Sequence, residues 1–164
     1  MECNDGYAFN TTGSYHESGS YGLSLDLNKA KEMWLRAGEN GCPFGYFNLG
    51  NANNKRGDTK KARHYWGLAA MAGDGAARYN LGGAEGRAGN VERSIRHFMI
   101  GARAGHNKCL DAVKECYVDG DVTKDEYAQA LRSYQESVDE MKSEGRDKAG
   151  VIERSMRSFG MTEW

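Results

Sequence analysis

The chain has 164 residues, and its 22 glycines are about twice the usual share of ~7%, whereas it contains a single proline. Collagen-like and proline-rich disordered chains are excluded because both need proline. A flexible glycine linker would lack the 39% hydrophobic and 10% aromatic content.

The net charge of −1 shows no basic excess of the kind typical of nucleic-acid-binding modules. No apolar run approaches the ~20 residues of a membrane span. We therefore expect one folded domain, with no nucleic acid as partner and no membrane insertion.

The first residues contain neither a basic segment nor an apolar run, so a signal peptide is not expected. The four cysteines (Cys3, Cys42, Cys109 and Cys116) are too scattered for a disulfide framework. These two features predict the cytoplasm or another reducing intracellular compartment.

Helices joined by short loops are predicted in chain order by two short patterns. Residues 7–15 resemble the pattern Asn48-Leu49-Gly50, which recurs as Asn80-Leu81-Gly82. The first copy lies 37 residues before the second, and the second lies 32 before the third. After Gly105, an apolar stripe of Cys109, Val113, Cys116 and Tyr117 predicts a fourth copy. We call these four predicted helices the A helices.

A second helix, the B helix, follows each of the first three A helices with a period of 32 residues. Three kinds of marker share this period: a polar residue before the helix, an aromatic residue within it and a glycine after it. Asp or Asn at such a position caps free backbone amides, and glycine suits the left-handed position that ends a helix. The markers are Asp26, Asp58 and Asn90; Trp34, Trp66 and Phe98; and Gly41, Gly73 and Gly105.

The C-terminal part begins with a capping box at Thr123 and Glu126, which predicts a longer helix to about residue 143. The tail from residue 146 carries an apolar stripe that predicts one more amphipathic helix, formed by Val151, Ile152, Met156 and Phe159. We therefore expect residues 1–143 to form a repeat solenoid and residues 144–164 a C-terminal helix or tail.

These motifs resemble those of the Sel-1-like repeat family, relatives of the tetratricopeptide repeats. The matching residues are Asn48-Leu49-Gly50, Asn80-Leu81-Gly82, Lys29-Ala30, Lys61-Ala62, Ala69-Ala70 and the three B-helix glycines, and they extend over about residues 6–149. The resemblance implies an all-α, right-handed α-solenoid of about four helix-turn-helix repeats plus a C-terminal capping helix. It also implies a protein-binding adaptor without catalytic residues or cofactors.

In the resembling family the A helices line the concave face, which implies the partner-binding residues of this chain. Aromatic residues with amide and charged neighbours suit an extended peptide, because they supply apolar anchors and pair with its backbone. These residues are Phe44, Phe47, Asn51, Asn54, Tyr79, Arg87, Lys108, Asp111 and Glu115. The alternative for Phe47 and Tyr79 is that they pack in the core. The alternative function is a structural subunit, locked into a larger assembly through its convex face or C-terminal end.

Three further patterns in the sequence are candidate ligand sites. The glycine-rich stretch 82–89 resembles a phosphate loop, but it lies within a predicted helix with no strand before it. His106, Cys109 and Cys116 lack the tight spacing of a structural metal site, so a buried thiol is favoured and no metal is expected. The basic residues Lys55, Arg56, Lys60, Lys61 and Arg63 favour a solvated face, with an acidic partner as the alternative. No catalytic set can be assembled from the spacing of the histidines, so we do not expect an enzyme.

Overall fold

The computed structural model describes residues 3–158, and it places eight α-helices and no strand within that range. The all-α repeat architecture expected from the sequence is thereby confirmed. The helices are α1 (Cys3–Ser18), α2 (Leu27–Glu39), α3 (Pro43–Lys55), α4 (Thr59–Met71), α5 (Gly75–Arg87), α6 (Val91–Arg103), α7 (Asn107–Asp119) and α8 (Lys124–Ser158).

The helices pack as successive hairpins, with each A helix paired to the B helix that follows it. The A helices are α1, α3, α5 and α7, and the B helices are α2, α4, α6 and the first part of α8. Neighbouring hairpins join where a B helix packs on the next A helix.

Within each of the first three hairpins, an A-helix glycine lies against the B-helix aromatic ring. A Cβ atom on Gly13 would lie only 2.6 Å from Trp34 Cδ1, and the pairs Gly50–Trp66 and Gly82–Phe98 are in equally close contact. The fourth hairpin has Lys114 and Ala130 at the two equivalent positions. Glycine and aromatic residue are therefore lost together, which indicates that each is present because of the other.

Small side chains form the junctions between hairpins. Gly45 lies against the Trp34 carbonyl of α2, and the fully buried Ala77 occupies the same position in α5. Cys109 takes this position in α7, where it contacts Gly101 and is fully buried. Burial raises the pKa of the Cys109 thiol to about 12. The interpretation of Cys109 as a buried thiol is confirmed.

The ends of α2, α4 and α6 follow the predicted signals with one exception. Gly41, Gly73 and Gly105 have φ angles of 81°, 91° and 77°, the left-handed conformation that glycine adopts without strain. Asp26 and Asp58 cap α2 and α4 by accepting hydrogen bonds from backbone amides. The predicted cap at Asn90 is wrong.

Asn90 stands at the start of α6 but its side chain makes no cap hydrogen bond. Its amide nitrogen instead donates to Glu85 Oε2 at 2.7 Å. In this orientation the side-chain oxygen of Asn90 accepts no hydrogen bond from the first turn of α6.

The C-terminal helix begins as the capping box predicts, with the Thr123 amide donating to Glu126 Oε2 at 2.8 Å. From there α8 runs unbroken for 35 residues to Ser158, where the sequence pattern predicted two helices. The expected boundary after residue 143 falls inside this helix, and the division into two domains stays a prediction. Phe159 and the rest of the tail lie outside the described residues.

Candidate partner-binding surface

The A helices present a common face, and side-chain contacts connect it from one hairpin to the next. We call this face the A-helix surface, and its exposed residues are Tyr7, Phe44, Asn54, Tyr79, Arg87, Lys108, Asp111 and Glu115. Asn48 Nδ2 of α3 donates to Asn10 Oδ1 of α1 at 2.9 Å. Asn80 Nδ2 of α5 donates to Asn51 Oδ1 of α3 at 3.1 Å. These amide pairs fix the register of the A helices and give the surface a row of hydrogen-bonding groups.

An exposed aromatic pair lies on α1 and α3 of this surface. Phe44 and Tyr7 are 44% and 47% exposed, and their ring centroids lie 6.0 Å apart in an edge-on arrangement. Phe44 is a predicted site residue, whereas Tyr7 is not. The signal for Tyr7 was present in the sequence, because it lies 37 residues before Phe44, the offset between the first two A helices.

Phe47 and Tyr79 occupy equivalent positions of α3 and α5, and packing accounts for part of both side chains. Phe47 is half-buried against the core of the second hairpin. Tyr79 is 38% exposed, and its ring lies 5.8 Å from that of Phe98 and 6.2 Å from that of His106. The alternative of core packing therefore describes Phe47 best, while Tyr79 is shared between core and surface.

Asn51 is the predicted contact residue with the clearest structural role. Its Oδ1 accepts hydrogen bonds from both Trp66 Nε1, at 3.0 Å, and Asn80. The carbonyl side of this amide is therefore already occupied within the chain. The pairing of Asn51 with a peptide backbone stays a prediction.

Asn54 and Arg87, by contrast, are exposed on α3 and α5. The Arg87 guanidinium folds back over Gly83, one turn earlier in α5, at 3.4 Å from the position of a Cβ atom. A glycine inside a helix weakens it, and here it leaves room for the arginine.

The last three predicted residues, Lys108, Asp111 and Glu115, are exposed on α7. Asp111 and Glu115 line an open depression of about 560 Å³ together with Lys114, Val118 and Asp119. This end of the A-helix surface is therefore acidic and lies apart from the aromatic pair on α1 and α3.

The basic cluster around Asp58 is largely paired within the chain. Lys61 lies 3.3 Å from Asp58, and Lys55 lies 3.2 Å from Glu17 of α1. Arg63 donates to the Ala84 carbonyl at 2.7 Å, so it joins α4 to α5. The interpretation as a solvated face fits the exposed lysines and fails for Arg63.

The other two ligand-site patterns have structural explanations. Gly82 lies in the middle of α5, and Gly89 follows the end of that helix with a φ of 81°. The stretch between them does not have the strand-loop-helix arrangement of a phosphate loop.

In the described range, no three His, Cys, Asp or Glu side chains are grouped as metal ligands. None of the helices in residues 3–158 combines the length and apolar character needed to cross a bilayer.

Two solved structures share this arrangement of helices. A Sel1 repeat protein from Oxalobacter formigenes superposes with a TM-score of 0.67 at 22% identity, covering 82% of this chain and 59% of that one. Protein c5321, a protective antigen of uropathogenic Escherichia coli strains with an SLR fold, superposes with a TM-score of 0.61 at 17% identity, covering 82% of this chain and 38% of that one. No family model and no curated protein matches the sequence. The chain therefore has the Sel1-repeat (SLR) fold, and it spans about three fifths and two fifths of the length of these two proteins.

Proposed function

We propose that this chain is a non-catalytic adaptor that binds an extended segment of another protein along the A-helix surface. The observation that carries this proposal is the aromatic pair Tyr7 and Phe44. Both rings are nearly half exposed although they are in contact with each other. Exposed aromatic side chains are typical anchors of protein interfaces.

The polar part of the surface suits the same kind of partner. The side chains of Asn54 and Arg87 are exposed near the ends of α3 and α5, and that of Lys108 is exposed near the start of α7. Such groups can pair with the backbone and side chains of an extended segment, while the aromatic rings hold its apolar residues.

A second candidate is a structural subunit that assembles through α8. This helix has 35 residues and is about 52 Å long, whereas the earlier B helices have 13 residues and are about 20 Å long. Along it, Leu131, Met141 and Val151 are 40%, 52% and 58% exposed. An amphipathic helix of this length offers a second surface for assembly.

Capture of partners from native extract by the full chain separates the two candidates. We expect a protein captured by the natural chain to be lost with the variant Tyr7→Ser/Phe44→Ser. It should be retained with the control Met71→Ser, which changes an 83% exposed residue at the end of a B helix. Loss with Met141→Ser/Val151→Ser, and retention with the aromatic variant, would favour assembly through α8 instead.

A further inference from the structure

An ion pair joins the first two A helices, whereas the equivalent positions of the next two A helices carry a cation without a carboxylate partner. Between α1 and α3, Lys55 Nζ lies 3.2 Å from Glu17 Oε1. Between α3 and α5, the repeat offsets of 37 and 32 residues bring Asn54 to the position of Glu17 and Arg87 to that of Lys55. The cation is kept, but a neutral amide replaces the carboxylate.

Among the described residues, no carboxylate lies within 4.0 Å of the Arg87 guanidinium. Arg63, the neighbouring cation, is balanced: it lies 3.4 Å from Glu85, whose side chain is only 12% exposed. The Glu85 carboxylate therefore already contacts Arg63 and accepts a hydrogen bond from Asn90.

A cavity of about 210 Å³ lies at this place, between the second hairpin and α5. Its lining includes Arg87, Asn54 and Thr59, whose side chains carry a guanidinium, an amide and a hydroxyl, and it also includes the apolar residues Trp66 and Ala84. Guanidinium, amide and hydroxyl groups all donate hydrogen bonds to carboxylate oxygens, and arginine does so in a bidentate geometry. The apolar walls strengthen such a pair because they exclude water from one side of it.

We propose that this cavity binds the carboxylate of an Asp or Glu side chain from the protein segment that occupies the A-helix surface. The bound carboxylate takes the place that Glu17 holds beside Lys55, with Arg87 as its main partner. This assignment rests on the proposed function, because the acid is supplied by the bound segment.

A first experiment needs no partner. The variant Asn54→Glu places a carboxyl at the position equivalent to Glu17, and its titration is followed by NMR. We expect the pKa of the introduced carboxyl to lie below the usual value for glutamate, and to return to it when Arg87→Gln is added. A carboxyl that titrates in its usual range both with and without Arg87 would overturn the proposal, because the cavity would then not favour an anion.

A second experiment selects random linear peptides on the full immobilised chain. We expect enrichment of peptides with Asp or Glu at a fixed distance from an apolar residue. Their affinity should fall about tenfold or more with Arg87→Gln, since a charge-assisted hydrogen bond is lost. Asn54→Glu should block them, whereas the matched control Arg56→Gln, an exposed arginine that does not line the cavity, should leave them unchanged.

The outcomes distinguish the two proposals. Peptides enriched without an acidic preference, or with one unaffected by Arg87→Gln, would overturn the carboxylate site and leave the adaptor function standing. Failure to enrich any peptide on the natural chain would contradict the adaptor function, and with it the occupant named here.

Discussion

The indole nitrogen of Trp66 donates a hydrogen bond to Asn51 Oδ1 at 3.0 Å, whereas the equivalent nitrogen of Trp34 has no partner in the described residues. Trp34 is only 2% exposed, so water does not readily replace the missing acceptor. The difference lies on α1, where Ser14 stands at the position of Asn51 and its hydroxyl donates to the Asn10 carbonyl instead. Two hairpins with the same aromatic packing thus differ in one hydrogen bond.

The unpaired indole predicts that Ser14→Asn stabilises the protein. The introduced amide oxygen should accept from Trp34 Nε1 as Asn51 accepts from Trp66, which is worth about 1 kcal/mol in the free energy of unfolding. For a chain of this size, Tm should rise by about 2–4 °C. Thermal unfolding of the variant measures this, with Ser14→Ala as the control that supplies no acceptor. A Tm no higher than that of Ser14→Ala would show that the indole does not gain the bond.

The same contact predicts that Asn51→Ala destabilises the protein by about 1–3 kcal/mol, because Trp66 Nε1 loses its acceptor. A double-mutant cycle with Trp66→Phe isolates this term, since phenylalanine requires no acceptor. We expect urea unfolding to show a markedly smaller cost of Asn51→Ala in the phenylalanine background. Equal costs in both backgrounds would mean that Asn51 acts through something other than the indole.

Two glycines inside helices predict opposite effects of the same substitution. Gly50→Ala should destabilise the protein by about 1–3 kcal/mol, because its Cβ atom would collide with the Trp66 ring. Gly67→Ala should stabilise by about 0.5–1 kcal/mol, because no atom lies within 4 Å of its added methyl group and alanine favours the helix of α4. Chemical denaturation of both variants tests the pair. Similar changes for both would contradict the packing of glycine on aromatic residue.

Two half-buried histidines predict a loss of stability in mild acid. Burial lowers the pKa of His97, and Arg78 lowers it further, against an opposing effect of Glu85. Burial also lowers the pKa of His106, with Lys108 acting in the same direction. Asp74, which faces His106 from the start of α5, opposes this shift.

The sign of the pH effect follows from these shifts. The folded chain resists protonation, so the unfolded chain binds more protons just below the unperturbed histidine pKa of about 6.5. Stability is therefore highest above that value and falls as the pH drops through it. We expect the urea midpoint to decrease between pH 7.5 and 5.5, and to decrease less in His97→Gln/His106→Gln. A midpoint that stays constant, or a slope that the double variant does not reduce, would contradict the shifts.

Local signals in the sequence predict most of the fold. The 32-residue period and the stop glycines Gly41, Gly73 and Gly105 mark helix ends because the left-handed conformation is a property of single residues. The helix that runs through residue 143 shows the limit of such signals. No residue near position 143 ends the helix. A change in the spacing of apolar residues does not by itself interrupt a helix.

The candidate surface is less predictable because it depends on pairs of side chains from different repeats. The exposed position of Phe44 agrees with the expectation from the sequence, whereas its contact with Tyr7 emerges only when α1 and α3 lie side by side. Asn51 is polar and half-exposed, as a contact residue should be, yet its oxygen serves Trp66 and the next A helix. The spacing of residues in the sequence predicts the helix face on which a side chain lies. It does not predict which residue of another repeat that side chain contacts.

Site-specific photo-crosslinking in the native cell measures whether a partner protein lies on the A-helix surface. A photoreactive phenylalanine analogue is placed at Phe44 on the A-helix surface, at Met71 on a B helix, or at Val151 on α8, one position at a time. We expect a discrete crosslinked product from position 44 and none from position 71. Crosslinking from position 151 or 71, and none from position 44, would contradict binding along the A-helix surface.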